Sequence, residues 1–155
     1  MAHASVKVYI HFVWTTKTRK RLLPGDSRNA VRNHIGEYAG TNGIALDAIA
    51  IQPERAHLLV ELGRSQRIED VAKFLKGESS HWINQNNIIR PKFSWQTGYW
   101  AGSVSYRHLD VVKRYVETQD EHHRVKTFSE EFEALLREYG YSVEEIAELL
   151  RLESR

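Results

Sequence analysis

Val6-Lys7-Val8-Tyr9-Ile10-His11-Phe12-Val13-Trp14-Thr15 is the stretch on which the fold turns. It is rich in β-branched and aromatic side chains, which suit a pleated surface better than a helix. Its apolar run is nearly continuous rather than alternating, the pattern of a strand covered on both faces in the middle of a sheet. Moving outward, Pro24, Gly25 and Asp26 supply a turn and a helix start. Ala30, Val31, His34, Ile35 and Tyr38 then recur at helical spacing over residues 27–39, and Gly40 and Gly43 end that helix. Residues 44–52 and 56–62 read as a second and a third strand, joined by a hairpin-like connection at Pro53 and Glu54. Helical periodicity returns over residues 68–83 through Ile68, Val71, Ala72, Leu75 and Trp82. Residues 84–92 are loop-like, ended by Pro91, and residues 93–105 carry two short strand segments around Gly98 and Gly102. A helix over 108–123 holds Leu109, Val112, Tyr115 and Val116, and two more helices, over 128–139 and 143–152, flank Gly140.

This order predicts an α+β sandwich of ferredoxin-like type, with helices packed on an antiparallel-rich sheet. A core domain over residues 1–126 and a C-terminal helical extension over 127–155 are expected. At 155 residues, 41% hydrophobic and 27% charged, the chain has an ordinary globular profile. It has no cysteine, which excludes disulfides and thiolate metal sites. No apolar run approaches the roughly 20 residues that span a bilayer, so no membrane partner is expected. Residues 1–7 are too short and polar to read as a signal peptide, and a cytoplasmic location follows as the default. Net charge is only +2, but Lys17, Arg19, Lys20 and Arg21 cluster tightly while residues 130–153 are rich in Glu. Such a cluster suits a polyanion, and equally describes a solvated turn.

Three groups could carry chemistry. On the third strand, alternation places Arg55, His57, Leu59 and Glu61 on one face; a single strand histidine there is either structural or functional. On the helix over 108–123, Tyr115 and Gln119 are one turn apart and project together, with His122 and His123 close to the same line. The spacing alone fits a nucleophile with metal donors, or a tyrosine packed at a helix edge. Residues 94–105 mix Trp95, Tyr99 and Trp100 with glycine and small polar residues, a composition able to stack unpaired bases or to pack a sheet edge. Phosphate-binding glycine loops, dinucleotide fingerprints, zinc-metalloprotease pairs and nucleophile elbows are absent from the sequence.

Taken in order, several segments resemble one family, the HUH-class single-tyrosine transposases of the insertion-sequence 200/605 type and their domesticated relatives. Residues 9–19 (Tyr9-Ile10-His11-Phe12-Val13-Trp14-Thr15-Thr16-Lys17-Thr18-Arg19) are similar to the family's opening strand and basic turn. Lys76-Gly77-Glu78-Ser79-Ser80 resembles its Lys-Gly-x-Ser-Ser segment, and Trp95-Gln96-Thr97-Gly98-Tyr99, followed by Ser103-Val104-Ser105, its Trp-Gln-x-Gly-Tyr stretch. Tyr115-Val116-Glu117-Thr118-Gln119 resembles the nucleophile helix, and residues 121–124 and 127–132 resemble the segment that follows in one branch. The resemblance implies a ferredoxin-like homodimer that nicks and joins single-stranded DNA at hairpins through a 5′-phosphotyrosine intermediate, the chemistry of DNA transposition and recombination. It implies Tyr115 as nucleophile and His57 and Gln119 as ligands of Mg²⁺ or Mn²⁺. Lys17, Arg19, Lys20 and Arg21 would contact DNA.

The sequence departs from that pattern at one position. Where the family's metal motif has its first histidine stands Arg55, followed by the small Ala56. A guanidinium has no lone pair and stays protonated, so it cannot ligate a metal. Three consequences are open: weaker metal binding through a recruited group such as Glu54, Glu61, His122 or His123; a direct grip of Arg55 on the phosphate; or a catalytically impaired or inactive descendant that keeps DNA binding. A less favoured reading, an RNA-binding sheet, requires Tyr9 and Trp14 to face solvent.

Overall fold

The structure, a computed structural model, describes residues 4–119 and 127–153. Four strands, β1 (Val8–Thr15), β2 (Ala45–Ile51), β3 (Arg55–Leu62) and β4 (Trp100–Val104), form one sheet in the order β2-β3-β1-β4. Every neighbouring pair is antiparallel. Helix α1 (Gly25–Thr41) connects β1 to β2, and α2 (Ile68–Gln85) connects β3 to β4. This is the ferredoxin-like arrangement, to which α3 (Leu109–Glu117) is added after β4, and α4 (Phe128–Glu138) and α5 (Val143–Glu153) follow. By backbone contacts the chain divides into two compact units, Met1–Glu117 and Thr118–Arg155. The expected boundary after residue 126 and the expected end of the nucleophile helix at residue 123 lie outside the described residues.

The even-numbered side chains of β1, Ile10, Phe12 and Trp14, join Ala56, Leu58 and Val60 of β3 in the main core. Val31, Ile35 and Ala39 of α1 and Val71, Ala72, Leu75 and Ile83 of α2 cover that face. The opposite face places Tyr9 and Leu59 with Ala48, Val104 and Val116, and Leu109, Val112 and Tyr115 of α3 pack against it. A sheet with helices on both sides explains the near-continuous apolar run of β1: its residues from Tyr9 to Thr15 are all buried. The burial of Tyr9 and Trp14 removes them as solvent-facing base platforms. Residues 93–105 contain one strand rather than two short ones. The first segment contributes only an isolated bridge, Thr16 with Trp95, made by the bonds from Lys17 N–H to the Ser94 carbonyl and from Gln96 N–H to the Thr15 carbonyl. Among the described residues no helix is long and apolar enough to cross a membrane.

Candidate active site

The hairpin between β2 and β3 sets the site's first residue. Gln52 N–H donates to the Arg55 carbonyl at 2.8 Å and Arg55 N–H returns a longer bond at 3.4 Å, closing a tight turn over Pro53 and Glu54. Proline's restricted φ suits the first corner of such a turn. Arg55 thus begins β3, opposite Thr15 of β1, and is 0% exposed. Its guanidinium donates to Glu54 Oε1, and the other oxygen of Glu54 lies 3.5 Å from Arg21 Nη1. A fully buried charge demands such pairing, since desolvation otherwise costs several kcal/mol. At 0% exposure the guanidinium reaches a phosphate only if the hairpin that covers it opens.

The same hairpin anchors the basic turn. Thr16 N–H donates to the Glu54 carbonyl at 2.8 Å and Leu23 N–H to that of Pro53 at 3.1 Å, bracketing the single 3-10 turn Lys17–Arg19. Thr18 and Arg19 take positive φ (58° and 55°), a conformation that disfavours a β-branched residue and persists only where the surroundings impose it. Lys17, Lys20 and Arg21 are exposed and Arg19 is half-buried, so most of the predicted cluster faces solvent beside Glu54 and Arg55.

Two positions into β3, His57 is fully buried, and it meets a residue that the sequence does not announce. His11, at the centre of β1, places Nε2 3.0 Å from His57 Nδ1. Strand alternation puts both rings on the face covered by α3. The Tyr115 ring stands edge-on to both imidazoles, its centroid 6.2 Å from that of His11 and 5.9 Å from that of His57. Trp100 closes the far side of His11 at 5.5 Å. The structure thus brings His57 and the ring of Tyr115 together. Gln119 is buried, lies past the last residue of α3 and belongs to the second compact unit. His122 and His123 lie outside the described residues. One signal could have found His11: a lone polar residue in an otherwise apolar strand marks a face that is not simply core.

Glu61 shares the His57 face but not its neighbourhood. Four residues along a strand span about 13 Å, and Glu61 is engaged at that distant end by Lys7 Nζ at 2.8 Å and the Tyr9 hydroxyl at 3.2 Å. The hydrogen bond from Lys7 holds the Glu61 carboxyl below the usual carboxylate range and raises Lys7, while burial pushes the Tyr9 hydroxyl up. Glu54 is likewise committed to Arg55 and Arg21. Among the described residues no three His, Cys, Asp or Glu side chains gather as a metal site. Of His57 and Gln119, His57 lies in the first unit as a buried imidazole, and an ion such as Mg²⁺ held there would keep water in most of its positions.

The two remaining family-like segments dock on each other beside the sheet. Lys76 Nζ donates to the carbonyls of Thr97 at 2.9 Å and Gly98 at 2.7 Å, and Trp95 Nε1 donates to Ser79 Oγ at 2.9 Å. Gln96 Oε1 accepts from both the N–H and the hydroxyl of Thr15 at 2.6 Å. They border a cavity of about 410 Å³ that Lys73, Ser80 and the exposed Tyr99 also line. Trp95 and Trp100 are buried, which leaves Tyr99 as the accessible ring of that group. Charge-assisted bonds are worth about 1.5–3 kcal/mol each, so Lys76→Met is expected to lower unfolding free energy by roughly 2 kcal/mol or more, read from urea denaturation. A change under about 0.5 kcal/mol, typical of a surface site, would show that Lys76 does not hold the 95–99 loop.

Comparison with known proteins gives a consistent picture. Residues 4–119 match the family model described as IS200-like transposase. The ISDra2 transposase TnpA of Deinococcus radiodurans is 25% identical over 117 residues, covering 70% of this chain and 81% of that protein. A crystal structure described as a transposase from Deinococcus radiodurans R1 superposes with a TM-score of 0.58 at 24% identity, over 77% of this chain and 95% of that one. A REP-associated tyrosine transposase bound to a REP hairpin superposes with a TM-score of 0.59 at 14% identity, over 79% and 73% of the two chains.

Proposed function

Because this chain belongs to the IS200-like transposase family, we propose that it nicks and rejoins single-stranded DNA at a hairpin, with Tyr115 as the nucleophile. The observation that carries this reading is the meeting of the Tyr115 ring with the buried His57 and His11. The phenolate oxygen of Tyr115 forms a bond to phosphorus, the bond to the 3′-oxygen breaks, and that oxygen takes up a proton. A 5′-phosphotyrosine and a 3′-hydroxyl result, and the reverse attack by a 3′-hydroxyl rejoins strands without an external energy source. His57 and Gln119 would hold Mg²⁺ or Mn²⁺, which when bound polarises the scissile phosphate. The hairpin held by the related REP-associated enzyme supports a hairpin substrate here. A homodimer belongs to the same reading, as the family resemblance implies. A labelled hairpin oligonucleotide incubated with Mn²⁺ is expected to yield a protein–DNA adduct stable to denaturation, and no adduct across hairpins and both cations would overturn the assignment.

Lys17, Lys20 and Arg21 would track the DNA backbone. Replacing Lys17 and Lys20 with alanine is expected to flatten the salt dependence of hairpin binding, by about 0.7–0.9 in the slope of log K against log salt per lost phosphate contact. An unchanged slope would remove the turn from the interface.

A second reading is favoured by Arg55: a DNA-binding descendant whose cutting is impaired. It predicts tight, salt-sensitive hairpin binding without an adduct, and adduct formation on introducing Arg55→His, alone or with Glu54→Gln to spare the stranded carboxylate. Equal cleavage by the native and Arg55→His proteins would exclude it.

A further inference from the structure

We propose that His11 is a positioning residue that sets the tautomer of His57, so that His57 Nε2 presents a lone pair toward the reaction. This rests on the catalytic reading of Tyr115 and His57. The two ring nitrogens are 3.0 Å apart and the ring centroids 5.3 Å apart. The centroid separation exceeds the nitrogen gap by about two imidazole radii, so both nitrogens lie close to the line joining the ring centres. That is the geometry of a straight hydrogen bond sharing one proton between His11 Nε2 and His57 Nδ1. It is not the geometry of two ligands on one ion, whose lone pairs converge at an angle on a third point.

The shared proton has two possible homes with opposite consequences. With the proton on His11 Nε2, a neutral His57 carries its own proton on Nε2 and can only donate there. With the proton on His57 Nδ1, His57 Nε2 offers a lone pair to a cation or a proton, as the proposed chemistry requires. His11 then accepts through Nε2 and carries its own proton on Nδ1. Orienting partners of this kind usually come from carboxylates or backbone carbonyls. Here the partner comes from the neighbouring strand, and the register pairing Val13 with His57 and His11 with Leu59 sets the diagonal that makes it possible. Burial makes the bond consequential: His11 is 2% exposed and His57 0%, so water does not readily compete for the shared proton.

The test is a long-range ¹H–¹⁵N correlation spectrum of the full-length protein labelled at histidine, without DNA or metal. Signals are assigned by their loss in Arg55-intact His57→Gln and His11→Gln variants. The expected result is both rings in the Nδ1–H tautomer, with His57 Nε2 unprotonated. His11→Gln, whose amide oxygen can still accept, is expected to keep His57 in that form, and His11→Phe to release it. An Nε2–H signal for His57 in the native protein would overturn the proposal, as would an unchanged tautomer in a folded His11→Phe protein. Where an adduct forms, His11→Phe is expected to slow it roughly 10- to 100-fold, with His11→Gln recovering most of the rate; equal rates would count against the role. Since the spectrum needs no cleavage, a native protein that makes no adduct refutes the proposed function without touching the tautomer result.

Discussion

Tyr115→Phe is expected to abolish the covalent DNA adduct, by on the order of 10³-fold or more, while hairpin affinity and thermal stability stay close to native. The substitution removes one hydroxyl and keeps the ring. The ring carries the packing: it stands edge-on to His11 and His57 and contributes to the apolar cluster under α3. Tyr115 is half-buried, so losing its hydroxyl falls within the usual range of about 1 kcal/mol for a single hydrogen-bonding group. Activity and stability therefore separate cleanly in this variant. An adduct that survives Tyr115→Phe would move the nucleophile elsewhere. An intact adduct with lost stability would show that Tyr115 is only a packing residue.

The second large effect concerns stability. Arg55→Met is expected to lower unfolding free energy by about 3–5 kcal/mol, the range for breaking a buried ion pair from one side. Glu54 is 5% exposed and would lose its buried partner, while the Arg21 guanidinium sits at 3.5 Å and is itself largely in solvent. The outcome is expected toward the lower end because Arg21 offsets part of the loss. Removing both charges, Glu54→Gln with Arg55→Met, leaves no stranded ion and is expected to return stability to within about 1–2 kcal/mol of native. Urea denaturation of the four proteins of this cycle measures the coupling. A single-mutant loss below about 1 kcal/mol would mean the pair behaves as a surface bridge. The cycle also bears on function, since any gain of cutting from Arg55→His is measured against the same ion pair.

Much of the architecture is legible along the chain because it rests on local patterns. The apolar run of β1 marks a central strand, and Pro53 with Glu54 marks the hairpin that starts β3. Helices α1 and α2 follow their spacing to within two residues at each end. Residues 93–105 are less legible, because glycine and aromatic composition describes a strand and a loop edge equally well, and only the assembled sheet shows that residues 94–96 make a single bridge while the Gln96 side chain takes up the Thr15 N–H.

The site divides in the same way. Sequence by itself determined the nucleophile candidate Tyr115, the candidate ligand His57 and the anomaly at Arg55, since the resemblance to the family rests on motifs that place each of them at a matching position. Only the tertiary structure decided what surrounds them. His11 is 46 residues from His57 in the chain and meets it through an antiparallel register that no local spacing encodes. The turn that opens β3 buries Arg55 against Glu54, a setting its residue type does not announce. Side-chain type is a local property, whereas desolvation and cross-strand contact exist only once the sheet has formed and water has been excluded from between its strands and helices.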